Sequence, residues 1–185
     1  PEMAAAMAEL PGVIVLKDSF AEAAGLTVGG FFDPAAGVPG PESLPDAQVA
    51  DDAERIAAIV AAHQPRAFLV AVHDPRQGAR LAGLAPVVLN GHTHNAGVAV
   101  REGTVFLDAG STGGGGYRSF EDEREKPSSL QVLYVQRSPL KLLAVDTITI
   151  YGFSQEFEIR RRTFGPGEGS FSGTQAGGLR QFSSL

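Results

Sequence analysis

Apolar positions along the chain fall into short runs separated by glycine, proline and charge. Met3, Met7 and Leu10 recur at spacings of four and three, which predicts a helix over residues 1–10 that stops at Gly12. Val13-Ile14-Val15-Leu16 reads as a short buried strand, and Leu26-Thr27-Val28 running into Gly29-Gly30-Phe31-Phe32 as a second. Residues 33–45, with several prolines and glycines, read as loop. The strongest helical pattern runs from Asp46 to His63: Val49, Ala53, Ile56, Ile59 and Val60 make one apolar stripe, and Asp46 is placed to cap it. A strand over 67–72, a short helix from Arg76 to Leu84 and a strand over 87–90 follow. Helix, strand, short helix, strand is the pattern of an α/β arrangement.

The pattern then changes. Gly97–Val100 and Thr104–Leu107 flank Arg101-Glu102-Gly103, which predicts a hairpin with a tight turn. Residues 109–117 are glycine-rich and 118–129 charged and polar, so 109–129 reads as one long loop. Leu130 to Val135 and Leu140 to Ile150 read as strands. Phe157 and Ile159 alternate with Glu156, Glu158 and Arg160, as on a half-exposed strand. From Gly165 onward Gly, Ser and Gln dominate. The expected organisation is one domain over 1–164 and a disordered tail over 165–185.

Composition narrows the functional classes. With 43% hydrophobic and 19% charged residues, the 185-residue chain has the balance of one domain with a real core. Its formal net charge is -6, which speaks against a nucleic-acid surface, and no such patch is evident. The one basic cluster, Arg160-Arg161-Arg162, follows Glu156 and Glu158 and reads as the polar edge of a strand. There are no cysteines, so disulfides, thiolate zinc sites and cysteine nucleophiles are excluded, and any metal must be held by nitrogen and oxygen. No apolar run approaches the roughly 18 residues of a transmembrane segment. The sequence reads as a soluble segment, cytoplasmic or tethered through a region N-terminal to it. Pro1-Glu2-Met3 enters a helical stretch with no capping residue before it, as expected of a chain cut in mid-domain.

Chemistry concentrates in the histidines. Three of four follow apolar runs: His73 after Ala67–Val72, and His92 and His94 after Val87-Val88-Leu89-Asn90-Gly91. Open α/β sheets place ligands at strand exits, and imidazole is the commonest protein metal ligand. On extended backbone, residues two apart point to one side, so His92 and His94 are expected to share a small volume. Gly91 permits close backbone approach there. His63 sits at the end of the 46–63 helix, where a cation complements the dipole, and reads as structural. A metallo-β-lactamase pattern fails because Asn95-Ala96-Gly97 follows the pair, and a barrel amidohydrolase needs far more chain after it.

These residues carry a resemblance. Leu69-Val70-Ala71-Val72-His73-Asp74-Pro75 and Val87-Val88-Leu89-Asn90-Gly91-His92-Thr93-His94 resemble the C-terminal half of a calcineurin-like metallophosphoesterase over roughly residues 1–150. Phe106-Leu107-Asp108-Ala109-Gly110-Ser111-Thr112-Gly113 is similar to the family's Asn-Pro-Gly-Ser stretch, with Asp108-Ala109 in place of Asn-Pro. The resemblance implies the C-terminal part of a β-sandwich flanked by helices. It implies two divalent metal ions (Mn, Fe or Zn), with His73 and His92 on one and His94 on the other. It also implies hydrolysis of a phosphate mono- or diester by metal-activated hydroxide. The family's Asp-x-His, Gly-Asp-x-x-Asp and Gly-Asn-His motifs do not occur in this chain. Catalytic residues are therefore expected in a missing N-terminal half, which would be this segment's natural partner, and the segment alone is expected to be inactive. Half a sandwich also exposes strand edges and an apolar face, which predicts poor solubility or assembly. The alternative is a non-catalytic module that holds a single metal through the three histidines. Loops 33–45 and 109–129 are the candidate substrate-facing regions. Within the second, Gly113–Gly116 read as flexible loop rather than a phosphate cradle, and Arg118 as part of a charged, solvated stretch.

Overall fold

Alternation along three apolar runs sends their side chains to opposite sides of one sheet. Val70, Val88 and Phe106 face one side, while Leu69, Val87, Val105 and Leu107 face the other. A sheet buried on both faces needs a layer on each side. In the computed structural model, which describes residues 2–34, 44–112, 127–152, 154 and 156–171, the chain supplies both. The result is an α+β architecture of two packed sheets with helices.

The first sheet contains β1 (Ser19–Ala23), β2 (Leu26–Gly30), β3 (Leu69–Ala71), β4 (Val87–Asn90), β5 (Ala96–Arg101) and β6 (Thr104–Ala109), in the order β1-β2-β3-β4-β6-β5. β2, β3, β4 and β6 run parallel, and antiparallel β1 and β5 close the two edges. Both edge hairpins turn through two left-handed residues, Ala24-Gly25 and Glu102-Gly103, the geometry that matches strand twist. A short helix α1 (Glu2–Ala8) opens the chain. On one face of the sheet lies α2 (Asp46–Ala62), which buries Val49, Ala53, Ile56 and Val60. Against the other face lies an antiparallel sheet of β7 (Ser128–Arg137), β8 (Leu140–Tyr151) and β9 (Glu156–Thr163). Leu142 and Val145 of β8 meet Phe68, Val87, Val105 and Leu107 in the core between the sheets. Among the described residues no helix is long and apolar enough to cross a membrane.

Several expectations are corrected. Val13–Leu16 is not a strand: the segment has no regular structure and Ile14 is exposed. The edge strand comes later, at Ser19–Ala23, where the Ala24-Gly25 turn lets the chain fold back on β2. Asp46 does not cap α2. Pro45 occupies the cap position without a side-chain bond, and the Asp46 carboxylate instead takes Arg76 at 2.6 Å. The helix expected from Arg76 to Leu84 is split into α3 (Pro75–Gly78) and a 3₁₀ turn, Ala79–Leu81. The tail expected from residue 165 is packed over 165–171. Gly169 N–H donates to Gly103 O, Leu142 N–H to Gly169 O, and Phe171 stands edge-on to Phe68. Residues 172–185, Gly113–Gly116 and Arg118 lie outside the described residues. His63 ends α2 and stacks on Phe20 with ring centroids 3.6 Å apart.

Asp74 fixes the turn that follows β3. Its carboxylate accepts from Arg76 N–H at 2.8 Å, and Gln77 reaches back to the Asp74 N–H, completing a capping box. Burial alone would raise the Asp74 carboxyl. Hydrogen bonds from the Arg76 side chain and backbone, with that side chain's charge, outweigh it and hold the group below its ordinary value. Removing a cap costs about 1 kcal/mol, and losing the buried Asp74 carboxylate's hydrogen bonds to the Arg76 side chain adds to that. Asp74→Ala is therefore expected to lower unfolding stability by about 1–3 kcal/mol in urea titration. Because the folded-state value is depressed, the contribution is complete above the unfolded value near 3.8 and disappears as pH falls through the lower folded value. The gap between wild type and variant should accordingly be constant from pH 7 to about pH 5 and close on further acidification.

Candidate metal-binding site

Four parallel strands put four strand exits on one edge of the sheet. Register pairs Gly30 with Ala71, Ala71 with Leu89, and Asn90 with Asp108. The residues just beyond are Asp33 after β2, His73 after β3, and His92 after β4, with Asp108 itself near the end of β6. That edge is where open parallel sheets hold ligands.

His73 and His92 meet. His73 Nε2 lies 3.3 Å from His92 Nδ1, and the rings stand nearly perpendicular at 89°. Asp33 Oδ2 is 3.9 Å from the same His73 nitrogen. Both imidazoles are exposed, while the Asp33 side chain is mostly covered. Backbone geometry brings the rings together: Gly91 N–H donates to His73 O at 3.0 Å, locking the two strand exits side by side. A Cβ on Gly91 would lie 3.1 Å from His73 Nδ1, a tight contact that the ring would have to relieve by a few tenths of an ångström.

The backbone that carries His94 differs from expectation. His92 and His94 both have left-handed backbones, with φ of 69° and 58°. Residues 91–94 are not extended, so the rule that residues two apart point together does not operate. Thr93 holds this loop: its N–H donates to Gly91 O at 2.8 Å, its hydroxyl donates to Asp108, and it accepts from Asn95 N–H at 3.2 Å. Left-handed conformations at two non-glycine residues cost free energy and persist where surrounding contacts enforce them.

Tested against a divalent ion, this donor set fits one ion in part. Two nitrogens bound tetrahedrally to zinc at 2.0–2.1 Å are separated by about 3.3–3.4 Å. The His73–His92 separation matches that value, whereas Asp33 Oδ2, 3.9 Å from the His73 nitrogen, lies beyond it. Among the described residues no group of three or more His, Cys, Asp or Glu is arranged to hold a metal ion. A second ion finds no carboxylate bridge among these contacts. Beside the pair opens a cavity of about 460 Å³ whose walls include Leu16, Phe31, Val72, His73 and Asn90. Asn90 Oδ1 is buried and has no hydrogen-bond partner among the described residues.

Asp33 was not legible as a site residue because it opens a proline-rich loop. The strand-exit argument that picks out His73 also applies to it, since Val28-Gly29-Gly30-Phe31-Phe32 precedes it.

No protein-family model and no curated protein sequence matches the chain. Similar solved structures include wild-type Vps29 complexed with zinc from Entamoeba histolytica, at 15% identity and a TM-score of 0.43 over 85% of this chain and 64% of that one. Vps29 from Cryptosporidium parvum gives 12% identity and a TM-score of 0.38 over 79% of this chain and 55% of that one. A hypothetical protein from Thermus thermophilus gives 16% identity and a TM-score of 0.33 over 84% of this chain and 65% of that one. The chain thus spans under two thirds of the length of these structures. Likeness at this level bears on neither activity nor ligands.

Gly91→Ala tests the contact between the exits. The added methyl should displace the His73 ring by a few tenths of an ångström against His92 without unfolding the sheet. Histidine ring nitrogen NMR should then show both resonances shifted and a far-ultraviolet spectrum unchanged. Unmoved ring resonances would mean that the close approach does not set the pair.

Proposed function

We propose that this chain contributes half of a binuclear, metal-dependent phosphoesterase site, as part of a hydrolase acting on a phosphate mono- or diester. His73 and His92 bind one divalent cation (Mn, Fe or Zn), and Asp33 adjoins them as a further anionic ligand. His94, on the loop that Thr93 and Asp108 hold in place, serves the second cation. The bridging carboxylate and the leaving-group acid come from outside this chain.

The observation that carries this reading is the 3.3 Å approach of His73 Nε2 to His92 Nδ1 at adjacent parallel strand exits. The motif Gly91-His92-Thr93-His94 and the upstream His73 support it through the family resemblance. When bound, such cations lower the pKa of a coordinated water and neutralise the phosphoryl oxygens. The chain's own residues do the positioning: the Gly91–His73 backbone bond fixes the two imidazoles, and the Thr93–Asp108 bond fixes the loop that carries His94. Two cations at about 3.5–4 Å repel strongly, and neutral imidazoles do not offset that charge. Two-ion chemistry therefore requires carboxylates beyond those gathered here.

A single-ion module built on three imidazoles draws no support from the geometry, because His73, His92 and His94 do not form a three-donor group.

Calorimetric titration of the 185-residue chain with zinc checks the reading. One weak site is expected, weakened at least tenfold by His73→Ala or His92→Ala and left within about twofold by His94→Ala. With manganese added, no turnover of a nitrophenyl phosphate mono- or diester is expected from the chain alone. Robust turnover would sink the half-site proposal, and equal dependence on all three histidines would favour the single-ion module.

A further inference from the structure

β9 is an edge strand. Among the described residues it pairs only with β8, through the register Ile150–Phe157, Ile148–Ile159 and Asp146–Arg161. Phe164 N–H donates to Leu143 O, so by antiparallel alternation the backbone groups of Phe157, Ile159 and Arg161 turn away from β8. Among the described residues these donors and acceptors have no strand partner, the kind of edge that recruits another strand.

The side chains on this edge are sorted by sign. Glu156 and Glu158 precede Ile159, and Arg160, Arg161 and Arg162 follow it. Edges that repel partners carry like charge or mixed charge. This one is complementary to itself when reversed. An antiparallel copy centred on Ile159 sets Glu156 against Arg162, Glu158 against Arg160, and Ile159 against Ile159. Centring on Glu158 or Arg160 instead sets like charges face to face, which destabilises a cross-strand pair. The charges therefore choose one register, and it is the one that sets the outward-facing groups of Phe157, Ile159 and Arg161 against one another. Arg160 is held by Glu158 of its own strand at 2.8 Å, an exposed contact that exchanges for the cross-strand one at little cost.

The apolar residues agree. Phe157 and Ile159 are 69% and 55% exposed on the outer face of the sheet, where Leu130, Val132 and Ile150 are also exposed. Doubling the sheet through β9 brings the two Phe157–Ile159 pairs together into one continuous patch.

We propose that β9 is a self-association edge, at which two copies of this chain pair antiparallel about Ile159 to make one six-stranded sheet.

The chain has no cysteine, so single substitutions report directly. Paired residues at a hydrogen-bonded antiparallel position have Cα atoms about 5.5 Å apart, within disulfide reach. Two copies of residue 163 would be roughly 26 Å apart in this register. Under mild oxidation, the 185-residue chain carrying Ile159→Cys should form disulfide-linked dimers and the one carrying Thr163→Cys should not. By analytical ultracentrifugation the unmodified chain should be dimeric. Glu156→Arg/Glu158→Arg and Arg160→Glu/Arg162→Glu chains should each be monomeric alone and form a heterodimer when mixed. A monomeric unmodified chain at its highest soluble concentration would overturn the proposal. So would equal crosslinking at both positions, or dimers that persist in each charge-reversed chain. Should a charge-reversed chain fail to fold, the two cysteine variants still decide the question.

Discussion

The parallel ladder of β2, β3, β4 and β6 is the constraint on which the rest depends. Its register fixes where each strand ends, and the chemistry of the chain sits just beyond those ends. Had β4 slipped by one residue against β3, Val87 and Val88 would exchange the faces they bury. Both are fully buried in different cores, so the slip would expose neither face to water but would mismatch both. With both faces buried, the register is set by the fit of side chains in the two cores rather than by exposure to water. The approach of His73 and His92 is a consequence of that register, continued by the bond from Gly91 N–H to His73 O.

The same ladder explains what was legible in the sequence. Ala67–Val72, Val87–Asn90 and Thr104–Leu107 read as strands because parallel strands buried on both sides are continuous apolar runs. The stripe of α2 was equally clear, since one helix face carries the core. Val13–Leu16 misled for the converse reason: an apolar run of four residues says nothing about its partner, and Ile14 stays in solvent. Ser19–Ala23 has too little apolar character to be read as a strand, and its pairing is imposed by the Ala24-Gly25 turn.

At the site, legibility followed strand exits and failed on local backbone. His73 and His92 stand at neighbouring exits because the apolar runs before them are neighbouring strands. The sharing of one volume by His92 and His94 assumed extended backbone, whereas both residues are left-handed. Histidine adopts that conformation more often than most non-glycine residues, yet too rarely for residue type to predict it at two positions. Asp46 shows the same kind of limit. It stands at the right distance from the helical stripe to cap α2, yet a guanidinium thirty residues on competes for its carboxylate. A tertiary ion pair then decides a position that local propensity would have assigned otherwise.

Arg76 joins these threads. It bridges Asp74 beneath His73 and Asp46 at the start of α2, so one guanidinium ties the turn after β3 to the helix covering the sheet. The two pairs differ in surroundings. Asp74 is buried and capped, while Asp46 is almost fully exposed and contributes little through an ion pair alone. The stabilising half of the link is therefore the one at the site. Directly after His73, the Asp74 capping box sets the direction in which the chain leaves β3. It follows that the position of the His73 imidazole is held from two sides: by the Gly91 bond on the strand next to it, and by the Asp74–Arg76 turn that follows. A side chain nearly half exposed to solvent can still be well positioned when the backbone on either side of it is fixed this way.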